Sequence, residues 1–269
     1  ASGIMKSAGS VMFAMQLGQA LGKLSEEVLS AGDIGLPIFK EPRPAFVAQN
    51  LATLVDSLEE DSDQVYFYFV IRELAHARLF KQSKWLRDYT VNLITSYARE
   101  ISIDNSRIIE MSENFDPSEI GNIQKAFESG ALIAPRTPSQ TIALERIETV
   151  LALIEGWVDC VTQAATVRLP RSAAIAELVR RKRSSGGPAE KTFLTLIGLE
   201  LRPRKLREAS AMWNQVTEAV GIQKRDAIWS HPDLLPTEAD IADPTALIAK
   251  LSSSAPEDDM DAALRDLLS

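Results

Sequence analysis

The chain has 269 residues, of which 45% are hydrophobic and 25% charged, and its formal net charge is -8 at pH 7 with a sequence pI near 5.0. This composition is typical of a globular protein rather than a disordered one, and the negative charge argues against broad affinity for nucleic acid or anionic membranes. The single cysteine, Cys160, excludes an intramolecular disulfide framework and a cysteine-based zinc cluster, and it favours a cytoplasmic location.

Apolar residues recur at helical spacing along almost the whole chain, without convincing period-two alternation. We therefore expect a mainly α fold, a multi-helical domain around a single core, with at most a very small strand element. Residues 1–251 are expected to form this domain, and residues 252–269 an acidic linker with a short terminal helix. Helices are predicted at 8 to 30, 47 to 59, 62 to 81, 84 to 102, 117 to 129, 138 to 168, 171 to 185, 188 to 199, 203 to 221 and 256 to 267.

The stretch from Ile4 to Leu24 is too polar to cross a membrane, because Lys6, Gln16, Gln19 and Lys23 interrupt its apolar residues. Its small residues Gly18 and Gly22 lie four apart, which predicts close packing against another helix. The proline-rich connection that follows has room for a short strand at Leu36 to Phe39.

The helix predicted at 62 to 81 carries the first candidate site. It is apolar around its whole circumference, so we expect it to run through the core, where Arg72, Glu73 and His76 need partners. The run Arg72-Glu-Leu-Ala-His76 matches H-E-x-x-H, in which two histidines bind zinc and the glutamate is the general base, except that arginine replaces the first histidine. Arginine cannot ligate a cation and repels one. On its own, the motif favours a buried ion-pair helix.

The helix predicted at 138 to 168 carries the second candidate site. Glu155 and Asp159 lie one turn apart within an apolar run, where they can supply a metal ligand or neutralise Arg72. Gly156 costs a helix interior about 1 kcal/mol relative to alanine, which predicts the close approach of another element. We expect Cys160 to be a buried packing residue, and we expect the same of the four tryptophans, Trp85, Trp157, Trp213 and Trp229.

Basic residues are concentrated between Arg168 and Arg207, where eleven Lys or Arg stand against three Glu. The densest run, Arg180 to Arg183, ends a predicted helix, where cations complement the helix dipole. No aromatic residues are interleaved as they are in single-stranded nucleic-acid sites. We therefore predict a surface patch rather than a nucleic-acid site.

His231 is the second of two histidines and precedes Pro232, so its backbone is expected to be extended or turn-like. Such a loop could bring His231 to His76 and to Glu155 or Asp159, completing a three-ligand metal site. The alternative, which we favour, is a surface or capping histidine outside the site.

Seven segments between Met12 and Pro244 together resemble the actinobacterial zincin-like metallopeptidase family associated with deazaflavin-cofactor biosynthesis. They are Gln16 to Gly22, Gly35 to Ile38, Arg72 to Phe80, Trp85 to Leu86, Glu155 to Asp159, Gly198 to Arg204 and Trp229 to Pro236.

The resemblance implies a zinc-dependent hydrolase of peptide bonds, with Glu73 as general base, His76 as the second histidine ligand and Glu155 as the downstream ligand. Asp159 and His231 are secondary ligand candidates. Arg72 departs from the family pattern at the first ligand, and an arginine there is the form of one branch of the family.

Two functions are compatible with these features. The first is a zincin-like hydrolase with an altered zinc site and an unidentified peptide or small-molecule substrate. The second is a catalytically silent scaffold or interaction protein in which Arg72 replaces the charge of the metal. Neither membrane nor nucleic acid is expected as a partner. Because a buried arginine needs a carboxylate, we predict that Arg72 pairs with Glu73, Glu155 or Asp159 and that zinc is not tightly held.

Overall fold

The computed structural model describes residues 2–58, 61–102, 134–185, 194 and 205–253, and these ranges are mostly helical. The fold is mainly α, as predicted. The predicted helices at 117 to 129, 188 to 199 and 256 to 267, and most of the segment 252–269, lie outside the described residues. The helices are α1 (Ser2–Glu27), α2 (Ala48–Asp56), α3 (Ser62–Gln82), α4 (Lys84–Arg99), α5 (Pro138–Ala165), α6 (Ser172–Ser185), α7 (Leu206–Ala227), α8 (Glu238–Ala242) and α9 (Thr245–Ser252), with single 3-10 turns at Ile228–Ser230 and Pro232–Leu234.

Helix α5 lies at the centre of the fold. A capping box starts it, because the Thr137 side chain accepts from the Gln140 amide while the Gln140 side chain accepts from the Thr137 amide, and Pro138 occupies the first turn. Every residue from Val150 to Cys160 is buried, since α3, α4 and α7 pack around this stretch. The polar side chains within it are therefore forced to find partners inside the protein.

Helix α7 crosses α5 at Gly156. A Cβ atom on Gly156 would lie 2.7 Å from the Cβ of Ala209 and 2.8 Å from the amide nitrogen of Ser210. Near the same crossing, the indole nitrogen of Trp213 donates to the carbonyl of Leu153 at 2.9 Å. The close approach predicted from a mid-helix glycine is confirmed.

Three of the tryptophans are buried in the largest apolar cluster, and Trp85 packs against its edge. The rings of Trp213 and Trp229 stack with centroids 5.4 Å apart, and Trp157 meets Trp229 edge to face at 6.4 Å. Trp85 donates its indole N–H to the Trp229 carbonyl at 2.9 Å. Cys160 is buried in the same cluster. The expectation that these residues are packing residues is confirmed.

Two local predictions about the N-terminal part are wrong. A Cβ on Gly18 or Gly22 would have nothing within 4 Å in the part of the chain that the structure describes, so these glycines bring no described helix into close packing with α1. Residues 36–39 form no strand, because Pro37 lacks a backbone donor and Gly35, with φ 72°, turns the chain before it. In the described ranges, β pairing is limited to an isolated antiparallel bridge between Ser30 and Phe46.

Helix α3 is buried on one side only, so the expectation of a helix enclosed on all sides is wrong. Its outer face exposes Phe67, Val70 and Leu74, whereas its inner face contacts α5. Helix α7 is longer than predicted, because helical structure resumes after a kink at Gly221 (φ 81°, ψ 167°). Among the described residues, no helix has both the length and the apolar character needed to cross a membrane.

Candidate functional site

The centre of the site is an ion pair between α3 and α5. Arg72 donates from a terminal guanidinium nitrogen to Oε2 of Glu155, and the two side chains are 7% and 0% exposed. Burial opposes the charge on Arg72 and is the largest single influence, but the negative charge of Glu155, together with smaller contributions from Tyr68, Asp159 and the hydrogen bond to Glu155, outweighs it, so the pKa of Arg72 lies above its ordinary value. The guanidinium is therefore a permanent positive charge in the interior.

His76 approaches the other oxygen of the same carboxylate. It lies one turn after Arg72 on α3, is 3% exposed, and places Nε2 3.2 Å from Oε1 of Glu155. One carboxylate on α5 thus faces both side chains that occupy the two histidine positions of the motif on α3.

Glu73 points away from this pair and towards the segment between α1 and α2. Its Oε2 accepts from the amide of Gly32 at 3.0 Å and its Oε1 accepts from the amide of Ala45 at 3.2 Å. Glu73 and His76 line a cavity of about 30 Å³ beneath this segment. The carboxylate expected to be a general base is therefore engaged by two backbone amides.

Asp159 belongs to a second buried cluster, one turn further along α5. Its Oδ2 accepts from Ser210 Oγ at 2.7 Å, from Gln163 Nε2 at 2.7 Å and from Arg180 on α6 at 3.1 Å. Tyr68 on α3 is near this charge, and burial, opposed by Arg72 and reinforced by Asp159, raises its pKa to about 12. Asp159 is thus balanced mainly by Arg180 rather than by Arg72.

His231 lies at the surface. Its side chain is 62% exposed, and its Nδ1 accepts from the Asp233 amide at 3.2 Å, which caps the turn that begins at Pro232. His231 therefore does not fold over His76 as a metal ligand, because the residues after α7 turn its side chain outward.

Sequence reasoning missed Arg180 and Ser210 as partners of Asp159, and it missed the segment that covers Glu73. The sequence pattern predicts Arg180 in a surface patch, yet Arg180 lies one turn after the buried Ala176, at the edge of the inward face of α6. Other members of the basic stretch are also engaged locally, since Glu177 accepts from both Arg181 and Arg207.

The side chains present do not fit a zinc ion as they are arranged. Glu155 already faces Arg72 and His76, and Glu73 is held by two amides. Over the described ranges, no three or more His, Cys, Asp or Glu side chains are grouped so that they could hold a metal ion. A catalytic zinc site needs three protein ligands and an open position for water.

Comparison with known proteins relates the chain to one family and one fold. A family model described as zincin-like metallopeptidase matches residues 1–248. A crystal structure of a proposed hydrolase with a novel fold from Chloroflexus aurantiacus is similar, with a TM-score of 0.67 and 24% identity, over 93% of this chain and 72% of that one. At this identity, the similarity shows a shared fold. No curated protein matches the chain.

Proposed function

The chain belongs to the zincin-like metallopeptidase family, and we propose that it is a metal-free member in which Arg72 supplies the positive charge beside Glu155 and His76. The observation that carries this proposal is the bond from the Arg72 guanidinium to Glu155, the residue that the family resemblance makes the downstream metal ligand. The arginine at position 72 also supports assignment to the deazaflavin-associated branch with R-E-x-x-H.

Electrostatics argue against adding a dication to this arrangement. At an effective dielectric constant of ~20, a fixed unit charge repels a dication ~4 Å away by about 8 kcal/mol, a penalty that a neutral histidine at position 72 would not impose. The Arg72 guanidinium already neutralises the Glu155 carboxylate, so a zinc ion at this position would have to displace the guanidinium. The neighbouring carboxylate of Glu73 is bonded to Gly32 instead. A displaced Arg72 would therefore be a buried charge without a strong partner on its own helix turn.

The role that best fits a neutralised site is that of a non-catalytic scaffold or interaction protein in the cytoplasm. In this function the family fold is retained, while the Arg72–Glu155 pair and His76 connect α3 to α5 inside the core. Glu73 would then hold the polypeptide above it in place instead of activating water.

Metal analysis of the protein purified without added metal tests this function. We expect less than ~0.1 equivalents of zinc, and no rise in melting temperature when zinc is added, because a ligand stabilises only the folded state that binds it. Arg72→His restores H-E-x-x-H and should introduce zinc binding that raises the melting temperature. Arg78→His is the matched control, because it adds a histidine to the exposed face of α3.

The proposal is wrong if the unaltered protein purifies with about one equivalent of zinc and chelation lowers its melting temperature. That result would favour the second candidate, a metal-dependent hydrolase with Glu73 as general base and His76 and Glu155 as ligands. The convergence of His76 Nε2 and Glu155 Oε1, 3.2 Å apart, supports that candidate. Chelator-sensitive hydrolysis of peptides by the unaltered protein would then be expected.

A further inference from the structure

The segment between α1 and α2 forms a closed loop over α3, here called the covering loop (residues 31–45). Its two ends are tied together by the bond from the Ala31 amide to the Ala45 carbonyl at 3.0 Å and, just outside it, by the bond from the Val47 amide to the Leu29 carbonyl at 2.9 Å. Leu29 is buried in an apolar cluster. The two ends of the loop are therefore tied to each other, and the buried Leu29 holds this tie to the body of the protein.

Glu73 anchors the covering loop from below. The two amides that it accepts belong to Gly32 and Ala45, at opposite ends of the loop, and both bonds are charge-assisted. Because both oxygens of a buried carboxylate are used on the loop, the loop and the floor of the site cannot separate without breaking both bonds.

Gly32 lies directly on the ring of His76. A Cβ atom at Gly32 would be 2.7 Å from Cγ of His76 and 2.9 Å from Oε2 of Glu73, closer than carbon atoms in proteins approach. The loop can therefore pack directly against His76 and Glu73 only because residue 32 has no side chain. The imidazole is covered by backbone rather than by a mobile side chain.

With the covering loop in this position, the site has no room for a ligand. The cavity beneath it measures about 30 Å³, which accommodates only one or two water molecules. Binding pockets for organic ligands are about ten times larger. His76 and Glu73 are 3% and 2% exposed with the loop in place, so a ligand larger than water needs the loop to move before it can contact them.

The outer part of the covering loop is held much less firmly than its base. Ile38, Lys40 and Glu41 are exposed, and the contact from Arg87 Nε to the Phe39 carbonyl is long, at 3.4 Å. Prolines within the loop restrict its φ angles, which favours movement as one unit over local unravelling.

We propose that the covering loop is a flap that closes the site, and that Glu73 is the anchor that sets how often it opens. In the closed state, the flap excludes ligands from His76 and Glu155. Opening breaks the two bonds to Glu73 and uncovers the imidazole while Leu29 stays in place. This proposal concerns access alone and holds whether or not the site binds metal.

Chemical modification of histidine tests the flap, because the chain has two histidines in opposite environments. Diethyl pyrocarbonate should modify exposed His231 rapidly and His76 much more slowly, as measured by peptide mass spectrometry. Glu73→Gln should speed the modification of His76 by roughly 10- to 100-fold, since each of the two bonds to the charged group contributes about one factor of ten. Gly32→Ala should speed it as well, because its Cβ would overlap the His76 ring and keep the loop from closing. His231 should react equally in all variants.

Gly22→Ala is the matched control, because a Cβ on Gly22 meets no described residue within 4 Å. Its His76 should stay protected. The flap is refuted if His76 of the unaltered protein reacts as fast as His231, or if it stays protected in both loop variants.

Hydrogen exchange on the unaltered protein gives a second test that does not depend on the variants folding. If the flap opens on its own, the Gly32 and Ala45 amides should exchange faster than the amides of α5 around Trp157, which open only with the core. Exchange of these two amides at the rate of the core amides would show that the covering loop opens only on global unfolding and would overturn the proposal.

Discussion

Replacing Arg72 by methionine should destabilise the protein strongly. The side chain removed is 7% exposed and its partner Glu155 is 0% exposed, so the variant keeps a buried carboxylate without its main counter-charge. Breaking a buried pair in this way costs about 3 to 5 kcal/mol, a large share of the roughly 5 to 15 kcal/mol that stabilises a typical domain. For a chain of this size, the melting temperature should fall by roughly 6 to 15 °C.

The double variant gives the sharper result. Glu155→Leu alone should cost about as much as Arg72→Met, because it leaves a buried guanidinium behind, but the two together replace an ion pair by apolar side chains and should cost less than either alone. Urea unfolding followed by tryptophan fluorescence measures all three free energies of unfolding. The control is Asp88→Asn, in which an ion pair with a 77% exposed carboxylate is lost and the change should be below ~1 kcal/mol.

This reasoning fails if Arg72→Met costs less than ~1 kcal/mol, which is the range of solvated pairs. It also fails if the losses in the two single variants simply add in the double variant, because additivity would mean that the two side chains do not interact.

Three further predictions concern other parts of the molecule. Gly156→Ala should lower the free energy of unfolding by about 1 to 3 kcal/mol, because its Cβ would overlap Ala209 on α7, whereas Gly22→Ala should not; equal urea midpoints for the two variants would contradict this. The pKa of Tyr68 is raised to about 12 in the folded protein, so folded Tyr68 keeps a proton that the unfolded chain releases near pH 10. The free energy of unfolding should therefore fall by roughly 2 to 3 kcal/mol between about pH 10 and 12, and this contribution is fully present below pH 10. Tyr68→Phe should remove this part of the pH dependence in urea titrations, and an unchanged profile would rule the assignment out. Electrophoretic shift at physiological salt should show only weak nucleic-acid binding by the stretch from Arg168 to Arg207, and sub-micromolar, sequence-dependent binding would refute a structural role.

Local features of the sequence predicted local structure well. The helix predicted to begin at residue 138 begins there, and the structure adds the reason, a capping box between Thr137 and Gln140 with Pro138 in the first turn. The approach of α7 follows from Gly156, because glycine in the middle of a buried helix is explained by a near neighbour. The prediction of close packing at Gly18 and Gly22 failed because small residues permit close helix packing without requiring it.

Polar residues in the core were predicted to need partners, and the choice of partner was not predictable. Three carboxylates were candidates for Arg72, and the chain folds so that Glu155 reaches it, Asp159 meets Arg180, and Glu73 turns to the covering loop. Each choice depends on how far α3, α5 and α6 are rotated and shifted relative to one another. A one-turn shift between two helices would exchange Glu155 for Asp159.

Helical periodicity, the lack of period-two alternation and family membership are all readable from the order of residues, because they depend on spacings of a few positions or on motifs matched along the chain. The Arg72–Glu155 pair and the contact of Glu73 with residue 32 are made over long separations, with Arg72 and Glu155 83 positions apart and Gly32 and Glu73 41 apart. Such contacts depend on how whole helices pack. A shift of a few ångströms between two helices changes which charged side chains are close enough to pair. The sequence therefore shows that Arg72 must be neutralised, and only the folded structure decides that Glu155 neutralises it.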